Sequence, residues 1–209
     1  MDTDTIDGIV CNRLAVESLP ASIAAFIHEK AGGNPFFSEE LAFALRDNGI
    51  IAVNEGRIEI RHQGDIDTID FPDTIQGVII SRIDQLPPTS QLSLKIASII
   101  GRFFNIAELS GIHPSEDKTS AIKEQLKNPL EVDLVRLRQP NPDSSYFFKH
   151  IITQEVAYNL LTFSQRRNLH QDAAELYEKQ HTSENITDYP VLAHHWLHAE
   201  VHDLSLIHI

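Results

Sequence analysis

Apolar positions along the chain recur with helical spacing in most segments and fall in short extended runs elsewhere. Ile23, Phe26, Ile27 and Ala31 share one face, so a helix is expected over residues 20–31, stopped by Gly32-Gly33. A second helix is expected from Pro35 to about Asn48, with Phe37, Leu41, Ala44 and Leu45 on one stripe and Gly49 as its end signal. Two β-branched runs, 50–53 and 58–60, flank the turn tetrad Asn54-Glu55-Gly56-Arg57 and predict a hairpin. Residues 62–70 are polar and predict a loop. Pro72-Asp73-Thr74 opens a helix carrying Ile75, Val78, Ile79, Ile83 and Leu86, ended by Pro87-Pro88.

Thr89 or Ser90 is placed to cap the next helix, whose face of Leu92, Ile96, Ile99 and Ile100 ends at Gly101. Short helices follow over 105–112 and 119–127, then a strand over 134–138. The loop signal Pro140-Asn141-Pro142-Asp143-Ser144-Ser145 precedes an extended run over 146–148. This order of helices, strand, loop and strand is that of a winged-helix domain. Beyond it, Ile152, Val156 and Leu160 mark one helix, Leu169, Ala173, Leu176 and Tyr177 the next, and residues 191–202 a third. Ala173, Ala174 and Ala193 suit close helix packing at the start of an α-solenoid.

The expected architecture is therefore mainly α. A helical lid segment with a β-hairpin covers 1–70, a winged-helix domain 71–163, and the first helices of a tetratricopeptide-like solenoid 164–203. Leu204-Ser205-Leu206-Ile207-His208-Ile209 breaks the helical pattern and resembles a translated sequencing adapter, so 204–209 is set apart as a non-native tail and the natural protein is expected to continue beyond it.

At 209 residues with 42% hydrophobic content the chain can bury one good core or two small ones. A net charge of −13 disfavours unspecific attraction to nucleic acid or anionic membrane. No apolar run approaches the roughly 20 residues of a membrane helix, the acidic N-terminus is unlike a secretory signal, and the single Cys11 fits a reducing compartment. A cytoplasmic protein without membrane contact is expected.

None of the nine glycines precedes a lysine, so the phosphate-gripping loop of an ATPase is missing and ATP hydrolysis by this chain alone is not expected. His194, His195 and His198 offer two imidazoles at metal-ligand spacing. A zinc-protease helix would place a glutamate where His195 stands, so the set reads as a polar helix face beside Trp196, with no metal. The helix that would read DNA carries Lys118, Lys123 and Lys127, nearly cancelled by Glu116, Asp117 and Glu124. A winged-helix DNA-binding transcriptional regulator is thus the alternative function. Lys149, Arg166 and Arg167 read as isolated, solvated helix ends.

One stretch concentrates the information. In Ala31-Gly32-Gly33-Asn34-Pro35-Phe36-Phe37-Ser38-Glu39-Glu40-Leu41, glycines end one helix and a rigid proline starts the next. Together with Phe71-Pro72-Asp73-Thr74, Ser81-Arg82-Ile83-Asp84-Gln85-Leu86, Phe148-Lys149-His150, Gln154-Glu155-Val156-Ala157-Tyr158 and Leu192-Ala193-His194-His195, it resembles the region that follows the ATPase core in STAND (AAA-type) signalling ATPases. The nearest resemblance is to bacterial adenylate/guanylate cyclases with an ATPase module. It implies a non-catalytic regulatory fragment that couples nucleotide state to an effector such as a cyclase. It implies no cofactor in the fragment itself, ATP or ADP with Mg in the parent protein, a nucleotide-binding core missing in cis, and a protein partner engaged through the repeats. By the same resemblance Pro35 would border the adenine and His150 would approach the phosphates.

Overall fold

The structure, a computed structural model, describes residues 3–62, 71–114, 118–139, 144–180 and 189–200. It is mainly helical with two small antiparallel sheets, and it divides into two compact units, Met1–Gln85 and Leu86–Ile209.

In the first unit, helices α1 (Thr3–Leu14), α2 (Ala21–Ala31) and α4 (Ile75–Asp84) each pack on α3 (Pro35–Asp47). The sequence pattern puts an apolar stripe on α3. In fact every residue from Phe37 to Leu45 is buried, because neighbours close on it from several sides. The two acids caught in that run are met by arginines. Arg13 Nε lies 3.1 Å from Glu39 Oε2, and Arg82 pairs with Glu40. Helix α1, which the periodicity did not predict, buries Ile6, Val10 and Leu14 at four-residue spacing. Strands β1 (Ile51–Asn54) and β2 (Arg57–Ile60) form the expected hairpin, with Asn54 opposite Arg57. Its two turn residues, Glu55 (φ 49°) and Gly56 (φ 75°), are both left-handed, the turn whose twist suits a hairpin. Thr74 caps α4 by accepting from Gly77 N at 3.1 Å. Helix α4, grouped above with the winged helix, belongs to this compact unit.

The second unit opens with α5 (Pro88–Ile100), β3 (Phe103–Asn105), α6 (Ile106–Ile112), α7 (Lys118–Gln125), α8 (Lys127–Glu131), β4 (Val135–Gln139) and β5 (Ser145–Phe148). The antiparallel sheet runs β3-β5-β4. Phe104, Tyr146, Phe148 and Val135 turn inward. Three local expectations change. Helix α5 starts at Pro88, with Pro87 as its cap residue and no side-chain cap, since a proline in the first turn is already set for the helix. Ser90, one of the two expected caps, instead donates to Asn128 Oδ1 at 3.1 Å. Residues 103–105 pair as a strand, and Asn105 then starts α6 in a reciprocal capping box with Glu108. The helix expected over 119–127 stops at Gln125, because a proline at position 129 opposes the carbonyl four residues earlier, and α8 begins separately.

Helices α9 (Ile151–Asn159), α10 (Phe163–Gln180) and α11 (Tyr189–His198) complete the unit. α10 and α11 pack as a pair with Ala173, Ala174 and Ala193 buried, as the small residues predict. Most of the polar stretch 62–70, the tip 140–143, the end of the helix expected to reach His202, and the tail 204–209 lie outside the described residues.

Candidate functional site

The corner between α2 and α3 is built from local chemistry. Gly32 (φ 54°) closes α2 with its N–H on His28 O, and Gly33 (φ 82°) continues the left-handed turn. Asn34 Oδ1 then accepts from Phe36 N at 3.0 Å and Phe37 N at 3.2 Å, while Ser38 Oγ donates to Asn34 O at 2.9 Å. Pro35 occupies the first helical position, half-buried, and has no N–H to satisfy. Asn34 thus takes the amides that would otherwise suit an anion at the helix start. What the corner presents at Pro35 is an apolar ring on a fixed backbone. Substituting Asn34 by alanine should cost about 1 kcal/mol of stability, read as a lower urea midpoint in far-UV circular dichroism, and Asn34→Asp should recover it.

His150 sits in the second unit, where β5 passes into α9. It holds the cap position in extended conformation (φ −125°, ψ 144°), and its side chain makes no capping hydrogen bond. The junction is braced beside it. Lys149, expected as a solvated helix end, is buried with Nζ 2.7 Å from Asp133 Oδ2. Arg136 grips the same carboxylate through Nε at 2.7 Å and Nη2 at 3.0 Å. Burial alone pushes the Asp133 carboxyl up, but the hydrogen bonds and charges of Arg136 and Lys149 outweigh it and hold the carboxyl at about 2. Gln154 Nε2 donates to Ser98 O at 2.8 Å, tying α9 to the end of α5.

A third cluster was only partly legible. His170 of α10 places Nδ1 2.8 Å from His195 Nδ1 of α11, and its Nε2 3.1 Å from the Tyr158 hydroxyl of α9. His195, expected on a polar face, is 1% exposed, as is His170. His194 and His198 close the group, with His170 ring centroids 5.7 and 4.9 Å from theirs. Burial, followed by the neighbouring imidazoles and Arg166, lowers His170 to about 3, and burial with His194 and His198 lowers His195 to about 4. His170, His194, His198, Tyr158 and Glu155 line a cleft of about 380 Å³. Among the described residues no three His, Cys, Asp or Glu side chains converge as a metal site. The helical spacing on α11 marked three of these imidazoles. His170, 25 residues earlier than His195, could be joined to them only by the fold.

Of the two residues singled out for nucleotide contact, Pro35 therefore belongs to the first unit and His150 to the second. In the candidate DNA-reading stretch 119–127, Lys127 at the start of α8 pairs with Glu124 of α7. No helix among the described residues is long and apolar enough to cross a membrane.

Residues 5–59, from α1 into the hairpin, are similar to a protein family described as a domain of unknown function (DUF8739). No curated protein matches the chain.

Proposed function

We propose that this chain is a regulatory, non-catalytic region of a cytoplasmic signal-transducing ATPase of the STAND class, linked to an effector such as a nucleotide cyclase. The observation that carries this is the α2–α3 corner. Asn34 occupies the helix-start amides, so Pro35 offers a preset apolar edge of the kind that suits a purine ring rather than a phosphate. His150, at a junction braced by the Asp133 ion pairs, supplies an imidazole able to donate a hydrogen bond to a phosphate oxygen. ATP or ADP with Mg would be held by a nucleotide-binding core outside these 209 residues. Differential contacts in the two nucleotide states would then bias one conformation over another. The α10–α11 pair would begin the tetratricopeptide-like repeats that meet a protein partner.

The test uses the polypeptide expressed from the full genomic reading frame, titrated with fluorescent ADP and ATP analogues. Pro35→Ala should weaken both nucleotides about three- to tenfold, the loss of one apolar contact. His150→Ala should change the ratio of ADP to ATP affinity by about tenfold, in keeping with one charge-assisted hydrogen bond. Unchanged affinities in both variants would remove the proposal.

A further inference from the structure

The three-stranded sheet of the second unit has an outer face whose aromatic side chains none of the chemistry above uses. Strand alternation sends Phe104, Tyr146 and Phe148 into the core and leaves Phe103 and Phe147 on the other side, directly paired across β3 and β5. Phe103 is 52% exposed, and its ring lies 6.0 Å from that of Phe147. In the same row, Phe147 is opposite Arg136 on β4. Two guanidiniums stand over the Phe103 ring, Arg102 at 5.6 Å and Arg138 at 5.2 Å from its centroid. Both arginines are exposed, and neither has an acidic partner among the described residues. Arg136 differs, since its guanidinium is engaged by a two-bond grip on Asp133.

An exposed phenylalanine is ordinary when single. Here it belongs to an aromatic pair under two cations, in a chain whose acids outnumber its Lys and Arg by 30 to 17. Arginine stacked on an aromatic ring keeps its fork of N–H donors in the ring plane's direction, preorganised for a carboxylate. Arg and Phe are also among the residue types enriched at the buried centre of interfaces.

We propose that this sheet face docks an acidic, aromatic-containing extended peptide of a protein partner, its carboxylates on Arg102 and Arg138 and its ring against Phe103 and Phe147. A peptide fits better than a nucleic acid. Single strands need a cationic track along several successive phosphates, whereas this face offers two guanidiniums without an acidic partner among the described residues, and the net charge of the chain repels a polyanion. The proposal is independent of the nucleotide reading.

The experiment is fluorescence anisotropy with the 209-residue chain and a labelled ten-residue peptide alternating aspartate and phenylalanine. Controls are the same peptide with lysine for aspartate, and an oligothymidylate of ten nucleotides. The acidic peptide should bind saturably and at least tenfold more tightly than either control. The Arg102→Gln/Arg138→Gln double variant should weaken it about tenfold or more, and Phe103→Ala severalfold. These side chains are exposed, so the variants should keep the parent circular dichroism and melting profile, which is checked alongside. Binding unchanged in the double variant, no saturable binding of the acidic peptide, or tighter binding of the oligothymidylate each overturns the proposal.

Discussion

Replacing Arg82 with methionine should lower the unfolding free energy of the first unit by about 3–5 kcal/mol, the usual cost of removing one partner from a buried ion pair. Arg82 is fully buried. Its guanidinium meets Glu40, lies 3.0 Å from Asp47 Oδ2 through Nε, and stands 5.1 Å from the centre of the Phe43 ring. It is thus the cation that lets α3 carry an acid at Glu40 inside a core made mostly of Phe, Leu, Ile, Val and Ala side chains. Methionine keeps much of the volume and the contact with Phe43, so the loss would be electrostatic rather than a cavity effect. Asp47 retains Arg46, whose Nη2 lies 2.8 Å away, whereas Glu40 loses its guanidinium. The double variant Arg82→Met/Glu40→Leu should therefore recover most of the stability, because an apolar pair of similar size replaces the ions. The chain offers a clean readout. Its one tryptophan and all its tyrosines lie beyond residue 85, so urea unfolding of the first unit appears in far-UV circular dichroism without a tryptophan signal. A single variant within about 0.5 kcal/mol of the parent, or a double variant no better than the single, would show that Arg82 is not what makes Glu40 tolerable.

Arg82 also shows where the sequence stops being informative. Caps and corners are written locally: Gly32, Asn34 and Pro35 act within a few bonds of one another, as do Asn105 and Glu108, and those features are readable before any fold is known. The mainly helical class with small hairpins follows from periodicity in the same way. The burial of α3 does not, because Glu39 and Glu40 look like surface residues until Arg13 and Arg82 arrive from helices remote in sequence. Lys149 is the same case, solvated by appearance and buried in fact, with its acid sixteen positions away. Helix α1 was hidden for another reason. Its stripe consists of only three residues among polar ones, too thin a pattern to stand out without the core it covers. In the candidate site the corner at Pro35 was legible, and the brace beside His150 was not.

Acid should loosen the α10–α11 pair well before it protonates most carboxylates. His170 and His195 are held to about 3 and about 4, below the 6.5 of a free imidazole, and His194 is lowered by burial and by His198. The folded unit therefore keeps these rings neutral while the unfolded chain takes up protons below pH 6.5. Their contribution is fully present above that pH and is lost as pH falls through 6.5 toward 4 and then 3. Between pH 7.5 and 5, two rings of this kind withdraw on the order of 4 kcal/mol. Geometry points the same way. With Nδ1 atoms 2.8 Å apart, one ring donates and the other accepts, so two imidazolium rings would set N–H against N–H. The groups facing the rings are Tyr158 and Glu155 from α9, Arg166 from α10, and His194 and His198 from α11; of these only the Glu155 carboxylate favours an added proton, while the imidazoles and Arg166 oppose it. Trp196 sits 3% exposed beside His195, its Nε1 donating to Glu178 at 3.0 Å, so its emission reports directly on this packing. The urea midpoint followed by Trp196 should fall steeply from pH 7.5 to 5, and the His170→Phe/His195→Phe double variant should flatten most of that slope. Asp133 does not confuse the window. Its carboxyl is depressed from 3.8 to about 2, so its stabilising share is complete above the unfolded value and fades only below about pH 5. A parent profile already flat between 7.5 and 5 would mean that the imidazoles reach solvent in the folded state and that the His170–His195 bond does not hold α11 in place.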